Sequence, residues 1–147
     1  MLKEVISSLK LKPGNVVLDA TIGGGGHSRE ILKEIIPGGR LIGLDQDPAA
    51  LKIAEETLKD FKNFKIINDN FRNLDRVLSK ENVKSLDAAL FDVGVSSFQL
   101  DDKSRGFSLK EDARLDMRMD PGLETSAYDI VNRCKEKELA DIIYKFG

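Results

Sequence analysis

The chain has 147 residues, of which 41% are hydrophobic and 33% are charged, and this balance is typical of one soluble globular domain. A net charge of −2 excludes a strongly basic surface overall, although basic residues between 103 and 118 leave a local basic patch open. Acidic residues, Glu111 among them, interleave with these basic ones, so a solvated mixed-charge loop is the alternative. The single cysteine, Cys134, excludes an internal disulfide and indicates a reducing cytoplasm; we expect its thiol to lie in the protein core.

Apolar runs alternate with helical patterns along the first 93 residues. A short amphipathic helix between Leu2 and Leu9 opens the chain and ends at Pro13-Gly14. Four apolar runs then predict buried strands, at 16–19, 41–44, 64–67 and 87–93. A helical pattern separates each strand from the next, so the sequence predicts an α/β fold with a parallel sheet built of right-handed βαβ units.

The alternation stops after Val93. Between Gly94 and about Glu124 we find neither helical nor strand periodicity, and unstructured segments of this length are usually functional or disordered. Helical spacing resumes at 127–131 and at 139–143. We therefore divide the chain into 1–100, which contains the alternating pattern, and 101–147, a loop followed by helical segments.

A run of four glycines, Gly23 to Gly26, lies between the first predicted strand and the following helix. Glycines leave no side chain between the backbone and a ligand, and they allow the positive φ of a sharp turn. Asp45 ends the next strand, at roughly the 20-residue offset where a carboxylate meets the ribose of a nucleotide. The pattern predicts an adenosine-type cofactor at the carboxyl ends of the strands. The alternative for Asp45 is a helix cap, a role better suited to Asp47.

The residues around the glycine run narrow the choice of cofactor. No Gly-Lys-Ser/Thr follows, which excludes a P-loop, and Ser28 stands where a dinucleotide-binding motif has its third glycine. An S-adenosylmethionine site needs less phosphate cradling. Phe71, after the third strand, packs on the adenine or is a core aromatic residue; both readings stay open. Asp92 ends the fourth strand, where a carboxylate would accept a hydrogen bond from an amine or contact the cofactor.

No cluster of residues has the spacing of a metal site, and His27 is the only histidine. We therefore expect no metal ion in the mechanism and no histidine-based triad elsewhere in the chain.

Six stretches of the sequence together closely resemble the amino-terminal half of the ribosomal RNA small subunit methyltransferase H family. The resemblance runs along essentially the whole chain, and its most specific part follows the fourth strand. The matching stretches are 19–28, 43–48, 70–71, 92–102, 105–108 and 115–120. The resemblance implies a Rossmann-like class I S-adenosylmethionine-dependent methyltransferase fold, with the sheet incomplete at its carboxyl-terminal side and a helical insertion domain beginning after it. Residues 1–100 would be the S-adenosylmethionine-binding half-domain, and residues 101–147 a loop and the beginning of a helical RNA-recognition domain.

The resemblance also implies an activity and a set of site residues. Methyl transfer from S-adenosyl-L-methionine to N4 of a cytidine in the decoding region of 16S ribosomal RNA is the implied reaction, with the RNA or the 30S subunit as partner. We expect no membrane partner, because no apolar run approaches the roughly 18 residues that a membrane span needs. Asp92 is the residue to test first as acceptor of the amine hydrogen, unless its main role is to hold the cofactor. The implied cofactor contacts are Gly25, Gly26, His27, Asp45, Phe71, Asp92 and Gln99.

Family members are about twice as long and usually carry a His-x-Pro-Val segment before the first helix, and Ala113-Arg114 replaces their Gly-Pro turn. From these departures we expect an exposed sheet edge beside the fourth strand, because its next partner would be missing. Self-association or marginal stability would follow, with weak cofactor binding. Two alternatives remain: half of an NAD-dependent oxidoreductase, which the missing third glycine and the Phe71 and Gln99 matches oppose, and a non-catalytic fragment that binds RNA or another partner.

Overall fold

The computed structural model describes residues 2–110 and 112–147. Glu111, part of the mixed-charge stretch noted in the sequence, lies outside the described residues. The chain forms two compact units, Met1–Gly94 and Val95–Gly147, which we describe separately. The predicted division into 1–100 and 101–147 stays a prediction.

The first unit is a parallel four-stranded sheet with helices on both faces, as the alternating pattern predicts. The strand order is β3-β2-β1-β4, and every neighbouring pair is parallel. The strands are β1 (Val16–Asp19), β2 (Arg40–Asp45), β3 (Phe64–Asn68) and β4 (Ala88–Leu90). The helices are α1 (Leu2–Leu9), α2 (Gly26–Ile35), α3 (Pro48–Leu58) and α4 (Leu74–Lys80), with a 3-10 turn at Phe71–Asn73.

Two hydrophobic clusters fill the two faces of the sheet. On one face Val17 and Leu41 pack against Leu32 of α2 and Leu58 of α3, and all four side chains are fully buried. The other cluster is buried beside α4 and contains Leu18, Ala20, Ile42, Leu44 and Val77. Both faces of β1 and β2 are therefore covered, which is why their sequences are continuous apolar runs rather than alternating ones.

The fourth strand is shorter than the predicted 87–93. Its pairing with β1 ends where Asp19 meets Leu90, because β1 itself ends there and the chain turns into the glycine run. Val93 is 72% exposed, so the apolar character of this stretch beyond Leu90 does not reflect a strand.

The second unit contains helices α5 (Ser97–Asp101), α6 (Ala127–Arg133) and α7 (Glu136–Phe146), and a 3-10 turn at Lys103–Arg105. The two predicted helices, α6 and α7, are confirmed. The expectation of no helix between Gly94 and Glu124 is wrong, since α5 lies there; five residues are too few to show a helical period. Cys134 follows α6 and is only partly buried, so the expected core position is wrong.

Two arginines hold the loop between α5 and α6 together. Arg105 is nearly buried, and its Nη2 donates to the carbonyls of Arg118 and Met119, at 2.8 and 2.9 Å. Arg118 forms a two-pronged ion pair with Asp116, with nitrogen–oxygen distances of 2.8 and 2.7 Å. It also donates to the carbonyls of Pro121 and Leu123. These two members of the suspected basic patch thus direct their donors into the loop itself.

We predict that Asp116→Asn loosens this loop in a pH-dependent manner. Hydrogen bonds from Arg118 lower the pKa of Asp116 from 3.8 to about 2. A lowered pKa means that the ionised carboxylate stabilises the fold above the unfolded-state value, and that this contribution is lost as the pH falls through about 2. The wild type should protect the Met117 and Ala127 amides from hydrogen exchange better than the variant at pH 7, and the difference should shrink between about pH 4 and pH 2.

Asp141→Asn, a change at an exposed carboxylate of α7, is the matched control. If Asp116→Asn and Asp141→Asn give the same protection at neutral pH, the ion pair does not hold the loop.

Candidate functional site

The glycine run forms the turn between β1 and α2, and its middle glycines are required by packing. Gly25 has φ +82°, and a Cβ there would lie 3.3 Å from the backbone of Ala54 in α3. A Cβ at Gly24 would lie 3.3 Å from the Ile53 side chain. At Gly26, by contrast, an added Cβ would meet nothing within 4 Å. Packing explains Gly24 and Gly25, whereas Gly26 borders open space in which a ligand could approach the backbone.

The Asp45 carboxylate joins this turn to the end of β2. Its Oδ2 accepts from the backbone N–H of Gly23 at 2.9 Å, and its Oδ1 accepts from the N–H of Asp47 at 3.0 Å. Asp47, fully buried, caps α3 by accepting from the N–H of Ala49 at 3.0 Å, as predicted. Asp45 is only partly buried, and each carboxylate oxygen can accept a further hydrogen bond. It therefore both fixes the turn and can receive a diol.

Ser28, in the place of a third glycine, is a structural partner of Asp19. Its Oγ donates to Oδ2 of Asp19 at 2.7 Å, and both side chains are buried. The N–H of Thr21 donates to the other oxygen at 3.3 Å. Burial raises the pKa of Asp19 above 3.8, against the opposing effect of the Ser28 hydrogen bond. The sequence analysis did not predict this pair. The feature that could have indicated it is a serine on the apolar side of α2, nine residues after the aspartate that ends β1.

His27 and Asp92 come together beyond the carboxyl ends of β1 and β4. His27 Nδ1 lies 3.8 Å from Asp92 Oδ2, and the two side chains are 27% and 62% exposed. This separation is too long for a hydrogen bond, so the contact is electrostatic when the imidazole is protonated. The backbone N–H of Asp92 donates to Thr21 Oγ1 at 2.7 Å. Thr21, which the sequence analysis did not single out, thus fixes the backbone at the carboxylate predicted to face the substrate.

Phe71 lies just after β3, beside the strand that carries Asp45. The 3-10 turn that begins with Phe71 is capped by Asn70, whose Nδ2 also donates to Gln46 Oε1 at 2.7 Å. The ring of Phe71 is edge-to-face with that of Phe91, with centroids 5.9 Å apart and an interplanar angle of 84°. Phe71 is 40% exposed, so it is not a core aromatic residue.

The structure places six of the seven predicted contacts, all but Gln99, in the first unit, near the carboxyl ends of the strands. Gln99 belongs to the second unit, where it is 5% exposed and its Oε1 accepts from the N–H of Ser96 in the capping box of α5. The roles of all seven as ligand contacts stay predictions.

Among residues 2–110 and 112–147, no group of three or more His, Cys, Asp or Glu side chains is placed to hold a metal ion. No helix in this part of the chain is long and apolar enough to cross a bilayer.

Comparison with known proteins gives a match along the whole chain. A family model described as the MraW methylase family matches residues 1–147. The ribosomal RNA small subunit methyltransferase H of Clostridium botulinum strain 657 / Type Ba4 is 48% identical over 147 residues, which are 100% of this chain and 48% of that protein. The protein of the same name from strain Kyoto / Type A2 has the same identity and coverage. The chain thus spans about half the length of the curated relatives it matches.

Two solved structures share the fold. An rRNA methylase from Streptococcus thermophilus gives a TM-score of 0.51 at 23% identity, covering 62% of this chain and 51% of that one. A precorrin 8W decarboxylase from Methanobacterium thermoautotrophicum gives 0.51 at 19% identity, covering 60% and 45%. Similarity at this level of identity concerns the fold alone, and it confirms the predicted Rossmann-like architecture.

We predict that Asp19→Asn changes the pH dependence of stability. The raised pKa of Asp19 means that folding favours the protonated carboxyl, so stability from this group is greatest below the unfolded-state pKa and is lost as the pH rises through the folded-state value. The asparagine is uncharged and can accept from Thr21 while donating to Ser28. In urea unfolding, the stability of Asp19→Asn relative to wild type should rise as the pH is raised from 3 to 8. A constant difference across that range would contradict the assignment.

Proposed function

The chain belongs to the MraW methylase family, and from this premise we propose that it binds S-adenosylmethionine at the carboxyl ends of β1 to β4 and contributes to methylating small-subunit ribosomal RNA. The observation that carries the proposal is the Asp45 carboxylate, which holds the Gly23 N–H while staying partly exposed. This contact brings a glycine turn and a diol acceptor together on adjacent strands.

The residues present fit S-adenosylmethionine by their chemistry. Asp45 would accept hydrogen bonds from the ribose hydroxyls, and the Phe71 ring offers an apolar face to the adenine. The backbone at Gly26, where an added Cβ would meet open space, would accommodate the amino-acid part. When bound, this cofactor supplies an electrophilic methyl group on a sulfonium. Ser28 directs its hydroxyl to a buried carboxylate, which disfavours the pyrophosphate of NAD at the same turn.

We further propose that the methyl group is transferred to N4 of a cytidine in the decoding region of 16S RNA. This nitrogen is a poor nucleophile because its lone pair is delocalised into the ring, so alignment with the methyl group and an acceptor for the amine hydrogen would supply most of the catalysis. Asp92, 62% exposed and 3.8 Å from His27, would accept that hydrogen as a proton while the N–C bond forms and the bond between the methyl carbon and sulfur breaks, its electron pair staying on sulfur. Gln99 is proposed to complete the cofactor contacts.

The proposal extends to the partner and the compartment. The substrate would be the RNA within the 30S subunit, and the protein would act in the cytoplasm. Among the described residues, β4 pairs with β1 alone, so one edge of this strand is unpaired. We propose self-association through this edge; a sharp monomeric two-state unfolding transition in dilute solution would count against it.

Calorimetric titration with S-adenosylmethionine tests the cofactor site. We expect the wild type to bind it more tightly than NAD, and Asp45→Asn to weaken the affinity at least about 10-fold, because the amide loses an acceptor for the ribose and for one backbone N–H. Asp60→Asn, at an exposed carboxylate after α3, should leave the affinity unchanged. Tighter binding of NAD would overturn the methyltransferase proposal in favour of an oxidoreductase half.

Methyl transfer from labelled cofactor to immature small subunits tests the reaction, with the labelled nucleotide then mapped. If Asp92 accepts the amine hydrogen, Asp92→Asn should lower the rate by about 10²- to 10⁴-fold with little change in cofactor affinity. An equal loss of rate and affinity would assign Asp92 to holding the cofactor instead. RNA binding without any transfer would favour the non-catalytic alternative.

A further inference from the structure

A phenylalanine follows each of the two outer strands of the sheet, and the two rings are in contact. Phe91 directly follows β4 and Phe71 follows β3, although β2 and β1 separate these strands in the sheet. Their rings nevertheless meet edge to face, 5.9 Å between centroids and at 84°. The pair therefore reaches across the strands that carry Asp19 and Asp45.

Neither ring is buried by this contact. Phe71 is 40% exposed and Phe91 is 47% exposed, and because the planes are nearly perpendicular, each ring keeps at least one face that the other does not cover. Two large, partly exposed aromatic rings held in a fixed relative orientation are suited to receiving a flat apolar group.

The position of Phe71 relative to Asp45 indicates that the Phe71 ring would contact the base of a bound nucleoside. Asn68 of β3 is in register with Asp45, and the N–H of Asp69 donates to the Asp45 carbonyl at 3.1 Å. Phe71 begins the turn that follows β3, so it lies after the strand that neighbours the one carrying Asp45. Of the groups attached to a ribose held by Asp45, the flat base is the one suited to an aromatic ring.

We propose that Phe91 is a positioning residue that fixes the plane of the Phe71 ring against which the adenine of S-adenosylmethionine stacks. This inference rests on the proposed function. Without Phe91, the partly exposed Phe71 side chain would have to be ordered when the ligand binds, and ordering of that kind lowers affinity. From the usual strength of an aromatic pair, we expect a loss of about 3- to 10-fold in affinity.

A double-mutant cycle measured by calorimetry with S-adenosylhomocysteine tests the positioning role. Phe91→Leu should weaken binding about 3- to 10-fold in the wild type and have almost no effect when Phe71→Leu is already present, since the two substitutions act through one ring. Phe91→Tyr keeps the ring edge and should restore wild-type affinity, which a general loss of packing would not predict.

Ile36→Ala is the matched control, because Ile36 is similarly exposed, at 46%, and follows α2 rather than a strand end; it should leave the affinity unchanged. Thermal unfolding of each variant checks that it folds, and Phe91→Met replaces Phe91→Leu if the latter does not. Equal losses in both Phe71 backgrounds, or no loss at all, would overturn the positioning role and leave the cofactor site standing. No binding of S-adenosylhomocysteine by the wild type would overturn both.

Discussion

The Asp45 carboxylate is the contact on which the geometry of the first unit depends. It accepts from Gly23 and from Asp47, and so connects the turn after β1, the end of β2 and the start of α3. The close approach of α3 to the turn, 3.3 Å from Ala54 to the position a Cβ would take at Gly25, requires this register to be held. A side chain normally considered as a ligand contact is therefore also part of the framework.

The buried Asp19 carboxylate explains why Ser28 stands where a dinucleotide-binding pattern has its third glycine. Asp19 lies where β1 ends, inside the sheet, and a buried carboxylate without a donor would be strongly destabilising. The hydroxyl of Ser28 supplies that donor, whereas a glycine at the same position would leave the oxygen unsatisfied. The serine therefore has a structural role in the first unit.

The sequence pattern predicted those elements whose formation depends on residues close to one another in the chain. The apolar runs of β1 and β2 and the cap formed by Asp47 follow from burial and from helix-end chemistry within a few residues. The end of β4 was overestimated because it depends on where β1 stops, and the last residue of β1, Asp19, pairs with Leu90 far along the chain. The short helix α5 lacked enough residues to show a period, and the Phe71–Phe91 pair joins two strands that are not neighbours in the sheet.

The hydrogen bond from the Asp92 backbone to Thr21 continues the connection between β1 and β4 past the last paired residues, Asp19 and Leu90. Thr21 is only two residues from Gly23, whose N–H is held by Asp45. The Thr21 hydroxyl therefore joins the backbone that follows β4 to the glycine turn. Asp92 and Asp45, the two carboxylates predicted to face the substrate and the ribose, are thus connected through residues 21–23 of one turn.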